Sequence, residues 1–302
     1  MKHIFVINPM AGPVDATSTI TKKIHSLGTD LDYVIHVTTA PGEATEFVHN
    51  TCQASPDESL RFYACGGDGT LNEVLTGLIG NLNAQLACYP CGSGNDYIKC
   101  YGTQADFNDI ERLVNGEPYK VDVMRIGDRY SINVSNFGFD AEVCRVMEEV
   151  KRFPIIGGRN AYTTGIVKAL FTAMNNMCRV TVDGEPFYDG AMLLATMSNG
   201  QYVGGAYRCA PRSVSDDGLL EVCLVSKVSL LRFAKLIGKY RQGTHLDDPA
   251  CSDVMHYCRG RRIEITSPKP LYMALDGEVV CDRHFEVENM QQAISFVLPA
   301  KK

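Results

Sequence analysis

Short apolar runs alternate with helix-spaced segments through the first third of the chain. His3–Ile7, Asp32–Val37, Leu60–Cys65 and Gln85–Tyr89 read as strands, while Thr17–Leu27, Gly42–Gln53 and Leu71–Ile79 carry apolar residues at helical spacing. Strands separated by helices of this length predict βαβ units and a parallel sheet. Near Val121 the pattern changes. Tyr130–Val134, Arg179–Val182, Ala191–Met197, Leu219–Val225, Arg262–Thr266 and Leu271–Leu275 read as antiparallel strands, punctuated by Asp-Gly turns at 183–184, 189–190 and 217–218. Helical patterns interrupt them at Asn160–Asn175 and Leu230–Gln242. The pattern therefore predicts an α/β domain over residues 1–122 and a β-rich domain over 123–302, joined without a flexible linker. The last run, Ala293–Leu298, can return to either domain, so about 288–302 is free to rejoin the first.

A length of 302 residues agrees with two domains. With 45% hydrophobic and 21% charged residues, disorder is excluded. The formal net charge of −6 argues against a nucleic-acid partner, which calls for a basic footprint. Twelve cysteines fall below disulfide-scaffold density. The opening MKHIFVINPM has too short an apolar run for a signal peptide, and no stretch approaches the ~20 apolar residues of a membrane span. These features predict reduced thiols, a cytoplasmic location and only peripheral contact with any membrane.

The candidate chemistry lies where the predicted parallel strands end. His3–Ile7 runs into Asn8-Pro9-Met10-Ala11-Gly12, Leu60–Cys65 into Gly66-Gly67-Asp68-Gly69-Thr70, and Gln85–Tyr89 into Pro90-Cys91-Gly92-Ser93-Gly94-Asn95-Asp96. Parallel strands deliver all three loops to the carboxyl edge, where open α/β sheets bind ligands. Small residues let backbone N–H groups approach an anion, and a helix starting at Leu71 adds a favourable dipole. The loops match neither the P-loop nor G-x-G-x-x-G, since Asn72 stands where the third glycine belongs. A plainer reading makes Thr70 an N-cap with Glu73 as its capping-box partner. Asp68 would repel phosphate unless it holds Mg²⁺, accepts a proton or points away. Further on, Asp276-Gly277-Glu278 reads as a hairpin turn or a pair of working carboxylates. Asp216-Asp217-Gly218 reads as a turn or a hard-cation loop.

Taken in order, Asn8-Pro9-x-x-Gly12, Gly66-Gly67-Asp68-Gly69-Thr70, Gly92-Ser93-Gly94-Asn95-Asp96, Gly138-Phe139-Asp140, Asp217-Gly218 and Asp276-Gly277-Glu278 resemble the diacylglycerol kinase catalytic-domain family of soluble bacterial lipid kinases. The resemblance runs from Ile7 to about Leu298. It implies a Rossmann-like α/β nucleotide domain and a C-terminal β-sandwich enclosing a cleft, in which ATP phosphorylates a lipid hydroxyl with Mg²⁺. By position, Asn8, Pro9, Gly12, Thr38, Gly66, Gly67, Asp68, Gly69, Thr70, Asn72, Ser93 and Asn95 would line ATP. Glu278 matches the proton acceptor, with Asp276 beside it and Asp68 orienting the ion on the phosphates. Asp217 with the carbonyls of Val214 and Leu219 matches a structural Mg²⁺ site. The implied partner is a lipid alcohol presented at a membrane surface, contacted transiently; a homodimer is left open. Ser93 stands where many relatives have Thr, and Gly204-Gly205-Ala206 where they often have three glycines.

The rival readings are an NAD kinase, which shares G-G-D-G-T, and a silent nucleotide- or lipid-binding regulator. Asn8-Pro9 and the Gly92–Asp96 loop favour the lipid branch. The acceptor stays open among diacylglycerol, other glycerolipids, sphingoid alcohols and polyprenols. Cys88 and Cys91 read as buried inert thiols, and Cys251, His256 and Cys258 as ordinary residues, because no further ligands complete a zinc set.

Overall fold

The computed structural model describes residues 1–28, 31–139, 141–145, 176–276 and 278–301. The helix expected at Asn160–Asn175, the basic pair Lys151-Arg152, the apolar run Ile166–Phe171, Asp140 and Gly277 all lie outside the described residues. The chain divides into two compact units. The first comprises Met1–Val123, Ser215–Asp217 and Met290–Lys302, and the second Met124–Val214 and Gly218–Asn289.

In the first unit, β1 (Lys2–Ile7), β2 (Tyr33–Val37), β3 (Leu60–Gly66) and β4 (Ala84–Pro90) form a parallel sheet in the order β4-β3-β1-β2. The end of the C-terminal strand Glu278–Leu298 adds to β4 in parallel, pairing Ser295 with Gln85. Every residue of β3 is buried, which explains a run that is apolar but for Arg61 in place of alternation. Helices α1 (Thr17–His25), α2 (Glu43–Ala54) and α3 (Asp68–Leu78) connect these strands. Helix α2 buries Ala44, Val48 and Cys52, spaced four apart on one face. It packs closely on α3 because a Cβ on Gly77 would stand only 2.7 Å from Val48 Cβ. Arg61 is buried on β3 and donates to Gln85 Oε1 and to the carbonyls of Leu113 and Val114, satisfying the end of a short helix, Ile110–Val114.

The second unit is built from antiparallel strands. β5 (Glu117–Ile126) crosses into it from the first unit and turns through β6 (Arg129–Ser131). Then follow β7 (Val134–Gly138), β8 (Asn176–Val182), β9 (Glu185–Ser198), β10 (Leu220–Ser226), β11 (Met255–Gly260), β12 (Arg262–Leu275) and β13 (Glu278–Leu298). The long strands β9 and β12 each pair with β8 along one half and with β7 along the other. Phe137, Val180, Met197, Val222, Ile263, Met273 and Phe285 belong to their shared apolar core. Asp183-Gly184, both at positive φ, make the tight β8–β9 turn that an Asp-Gly pair favours.

Several strand assignments differ from the sequence reading. Asp189-Gly190, read as a turn, lies inside β9, where the strand runs straight through it, and β5 and β11 have no counterpart in that reading. Tyr130–Val134 is not one strand: β6 ends at Ser131 and β7 begins at Val134 because the amides of Ile132 and Val134 are claimed by the Asp276 carboxylate. The runs Arg262–Thr266 and Leu271–Leu275 are one strand, with a register shift across the segment holding Pro268 and Pro270, which lack ladder donors. The final strand begins at Glu278, well before Ala293. No helix among the described residues is long and apolar enough to cross a membrane.

Candidate active site

Because β1, β3 and β4 run parallel, their following loops leave one edge of the sheet, and backbone contacts lock them together. Asn8 N donates to Cys65 O (3.0 Å), and Cys91 N donates to Gly66 O (2.7 Å). Gly12 lies at φ +80°, and a Cβ there would stand 2.2 Å from Cys91 O. A Cβ on Gly92 would come within 2.6 Å of Gly67 Cα. Thr38, buried just after β2, joins the same edge through its amide bond to Ile7 O (2.9 Å).

Side chains complete the lattice. Asn8 donates through Nδ2 to Thr70 Oγ1 (3.0 Å) and accepts from Met10 N through Oδ1 (2.9 Å). Asn95, buried and at φ +48°, donates to Gly92 O (2.6 Å). Helix α3 starts one turn earlier than the capping-box reading required. Its N-cap is Gly67, with no side-chain cap, and Thr70 sits inside the helix holding Asn8. The first amides of α3 thus face the junction of the loops without a capping side chain, an arrangement suited to an anion. Asp68 is the first residue of that helix, and its Oδ1 accepts from Asp96 N across the next loop (2.7 Å). A Cβ on Gly94 would stand 2.6 Å from Asp68 Oδ2, so Gly94 is the residue that admits this carboxylate. Asn72 is buried on α3, whereas Pro9 is partly exposed and Ser93 exposed along the loops.

The second unit holds the other candidate carboxylates, and it distinguishes them. Asp276, at φ +45° in the β12–β13 turn, accepts from Ile132 N (2.9 Å) and Val134 N (3.2 Å). Both of its oxygens therefore serve backbone amides. Glu278 is half-exposed and forms an ion pair with Arg129 of β6 (2.9 Å), a partner that no sequence pattern pointed out. Asp217 falls with the first unit, in the three-residue segment 215–217, while Val214 and Leu219 fall with the second. A carboxylate with two peptide carbonyls is an all-oxygen donor set, which suits a hard cation such as Mg²⁺.

The cysteines beside the loops stay protonated. Burial pushes the Cys91 thiol up to about 11 and Cys88 further, so neither offers a thiolate at neutral pH. His256 is engaged by Ser226, with Nε2 2.7 Å from its Oγ.

Comparison with known proteins covers both units. The family described as "Diacylglycerol kinase catalytic domain" matches residues 2–126, and that described as "YegS C-terminal NAD kinase beta sandwich-like domain" matches residues 133–298. The chain is similar to a probable lipid kinase YegS-like of Shewanella frigidimarina, 29% identical, with 85% of this chain and 82% of that protein covered. It is similar to a diacylglycerol kinase of Bacillus subtilis, 27% identical, with 88% and 86% covered. A crystal structure of a putative diacylglycerol kinase from Bacillus anthracis shares the fold, with a TM-score of 0.76 at 23% identity over 98% of this chain and 96% of that one.

Proposed function

Since the chain belongs to the diacylglycerol kinase catalytic-domain family and carries its YegS-type C-terminal domain, we propose that it is an ATP- and Mg²⁺-dependent lipid kinase. On this reading it transfers the γ-phosphate to the hydroxyl of diacylglycerol or a related lipid alcohol. The observation that carries the proposal is the interlocked set of three glycine loops at one sheet edge, with Asp68 fastened at their junction by Asp96 N.

Phosphoryl transfer depends chiefly on positioning and charge stabilisation. The uncapped start of α3 and the loop amides receive the phosphates, with Asn8, Thr38, Thr70, Ser93 and Asn95 shaping the backbone that presents them. Asp68 suits a cation on those phosphates, because its negative charge would otherwise oppose them. Mg²⁺, when bound, neutralises developing charge on the transferred group. Glu278 takes the proton of the acceptor hydroxyl, and Arg129 orients it. Asp276 is committed to the turn that carries Glu278. The lipid acceptor lies at a membrane surface, which the enzyme meets peripherally.

The deciding experiment is transfer of labelled γ-phosphate from ATP to lipids in mixed micelles, with Mg²⁺ and with chelator, using NAD as a control acceptor. Label on a lipid that is lost with chelator is the expected result. Label on NAD alone, or ATP binding without transfer to any alcohol, overturns the proposal.

A further inference from the structure

The chain leaves the second unit after Val214, spends Ser215–Asp217 in the first, and returns at Gly218. Such a short excursion has no helix or strand of its own, so contacts with the rest of the first unit must hold it. Tyr101 OH stands 2.6 Å from Ser215 Oγ and 2.8 Å from Tyr97 OH. Tyr119 OH donates to Asp216 Oδ2 (2.5 Å), and Asp122 N donates to Ser215 O (2.7 Å). Tyr97 and Tyr101 both pack on Phe296, and Tyr101 packs edge-on against Tyr119.

Burial pushes the Tyr97 and Tyr101 hydroxyls above the ordinary tyrosine range, and the bond to Asp216 pushes Tyr119 up to about 12. All three keep their protons and remain donors at neutral pH. The rack also reaches the nucleotide loops by sequence. Tyr97 opens the one-turn 3₁₀ helix that follows Asn95-Asp96, Tyr101 caps its end, and Asp96 N holds Asp68.

We propose that Tyr101 and Tyr119 are positioning residues that pin the 215–217 excursion and thereby fix the carboxylate of Asp217 for a hard cation. This rests on the reading of Asp217 as a ligand of that cation. The hydroxyls act through Ser215 and Asp216, the two residues before Asp217. Losing the tyrosine bonds loosens the excursion, which keeps the Asp122 N–Ser215 O bond, while leaving the aromatic packing in place.

The test is Mg²⁺ titration of the full-length, nucleotide-free protein by calorimetry, with Mg²⁺-dependent melting temperature as a second readout. Tyr101→Phe with Tyr119→Phe, and separately Ser215→Ala, are expected to weaken Mg²⁺ binding by at least about fivefold, the effect of one typical lost hydrogen bond. Tyr63→Phe removes another buried hydroxyl bond, to His3 Nδ1 (2.6 Å), away from the excursion, and is expected to bind Mg²⁺ as the parent does. Unchanged Mg²⁺ affinity in the paired variant and in Ser215→Ala overturns the positioning role. Asp217→Asn separates the two layers: Mg²⁺ binding that survives it unaltered overturns Asp217 as a ligand, and the inference with it.

Discussion

A methyl group added at Gly12 meets Cys91 O at 2.2 Å on a backbone at φ +80°, whereas one added at Gly69 meets nothing within 4 Å. The two glycines sit in loops of the same proposed site, yet their substitutions should separate stability from binding. Gly12→Ala combines left-handed strain with a clash against backbone, so it should lower unfolding free energy by at least about 2 kcal/mol. Gly69 lies in the first turn of α3, where alanine is the better helix former by up to about 1 kcal/mol. Gly69→Ala should therefore melt no lower than the parent. It should nevertheless bind ATP roughly tenfold more weakly, because the new Cβ occupies the open face from which the amides reach phosphate. Urea unfolding and ATP titration of both variants check the pair. ATP affinity unchanged in Gly69→Ala would move the phosphates elsewhere.

The β12–β13 turn sets two acids two residues apart in different work, and substitution should expose the difference. Glu278→Gln removes an exposed ion pair with little stabilising value, so the fold should persist while kcat falls by about 10²–10⁴-fold. Asp276→Ala instead strands the amides of Ile132 and Val134, which should cost about 1–3 kcal/mol and leave turnover per folded molecule nearly intact. A Glu278→Gln enzyme with parental kcat would remove its role as base. The same turn shows what was legible in the sequence. Strands ending in glycine loops announced themselves, since an apolar run, a small-residue loop and a helical pattern follow one another in local order. Asp276 could not be told from Glu278, because its partners lie more than a hundred residues away. β13 escaped notice over Glu278–Asn289 because its exposed, charged stretch carries little apolar alternation. Tyr101 and Tyr119 were silent for a related reason: tyrosines in an apolar pattern read as core until a distant segment arrives to use their hydroxyls.

For the whole molecule, acid should weaken the first unit before the second. His3 is buried on β1 against Tyr63, and burial lowers its pKa from 6.5 to about 4. Between those values the unfolded chain holds a proton that the folded chain refuses, so stability falls as pH drops through this window. In the second unit, burial likewise lowers His245 to about 4, but burial raises Glu221 from 4.5 to about 7. Glu221 has the opposite sign: the folded chain holds its proton where the unfolded chain has lost it, so falling pH stabilises. The His245 and Glu221 contributions largely offset. That leaves in the second unit the smaller shift of His256, also lowered by burial, against the larger one of His3, which has no raised carboxylate beside it among the described residues of the first. Moving from pH 7 to pH 5 should thus cost the first unit about 1–2 kcal/mol. Urea unfolding of the parent and of His3→Gln at both pH values measures it: the parent should lose about 1–2 kcal/mol more than the variant. Limited proteolysis at pH 5 should cut the first unit ahead of the second in the parent, and an equal pH response in parent and variant would show that His3 is already protonated in the fold.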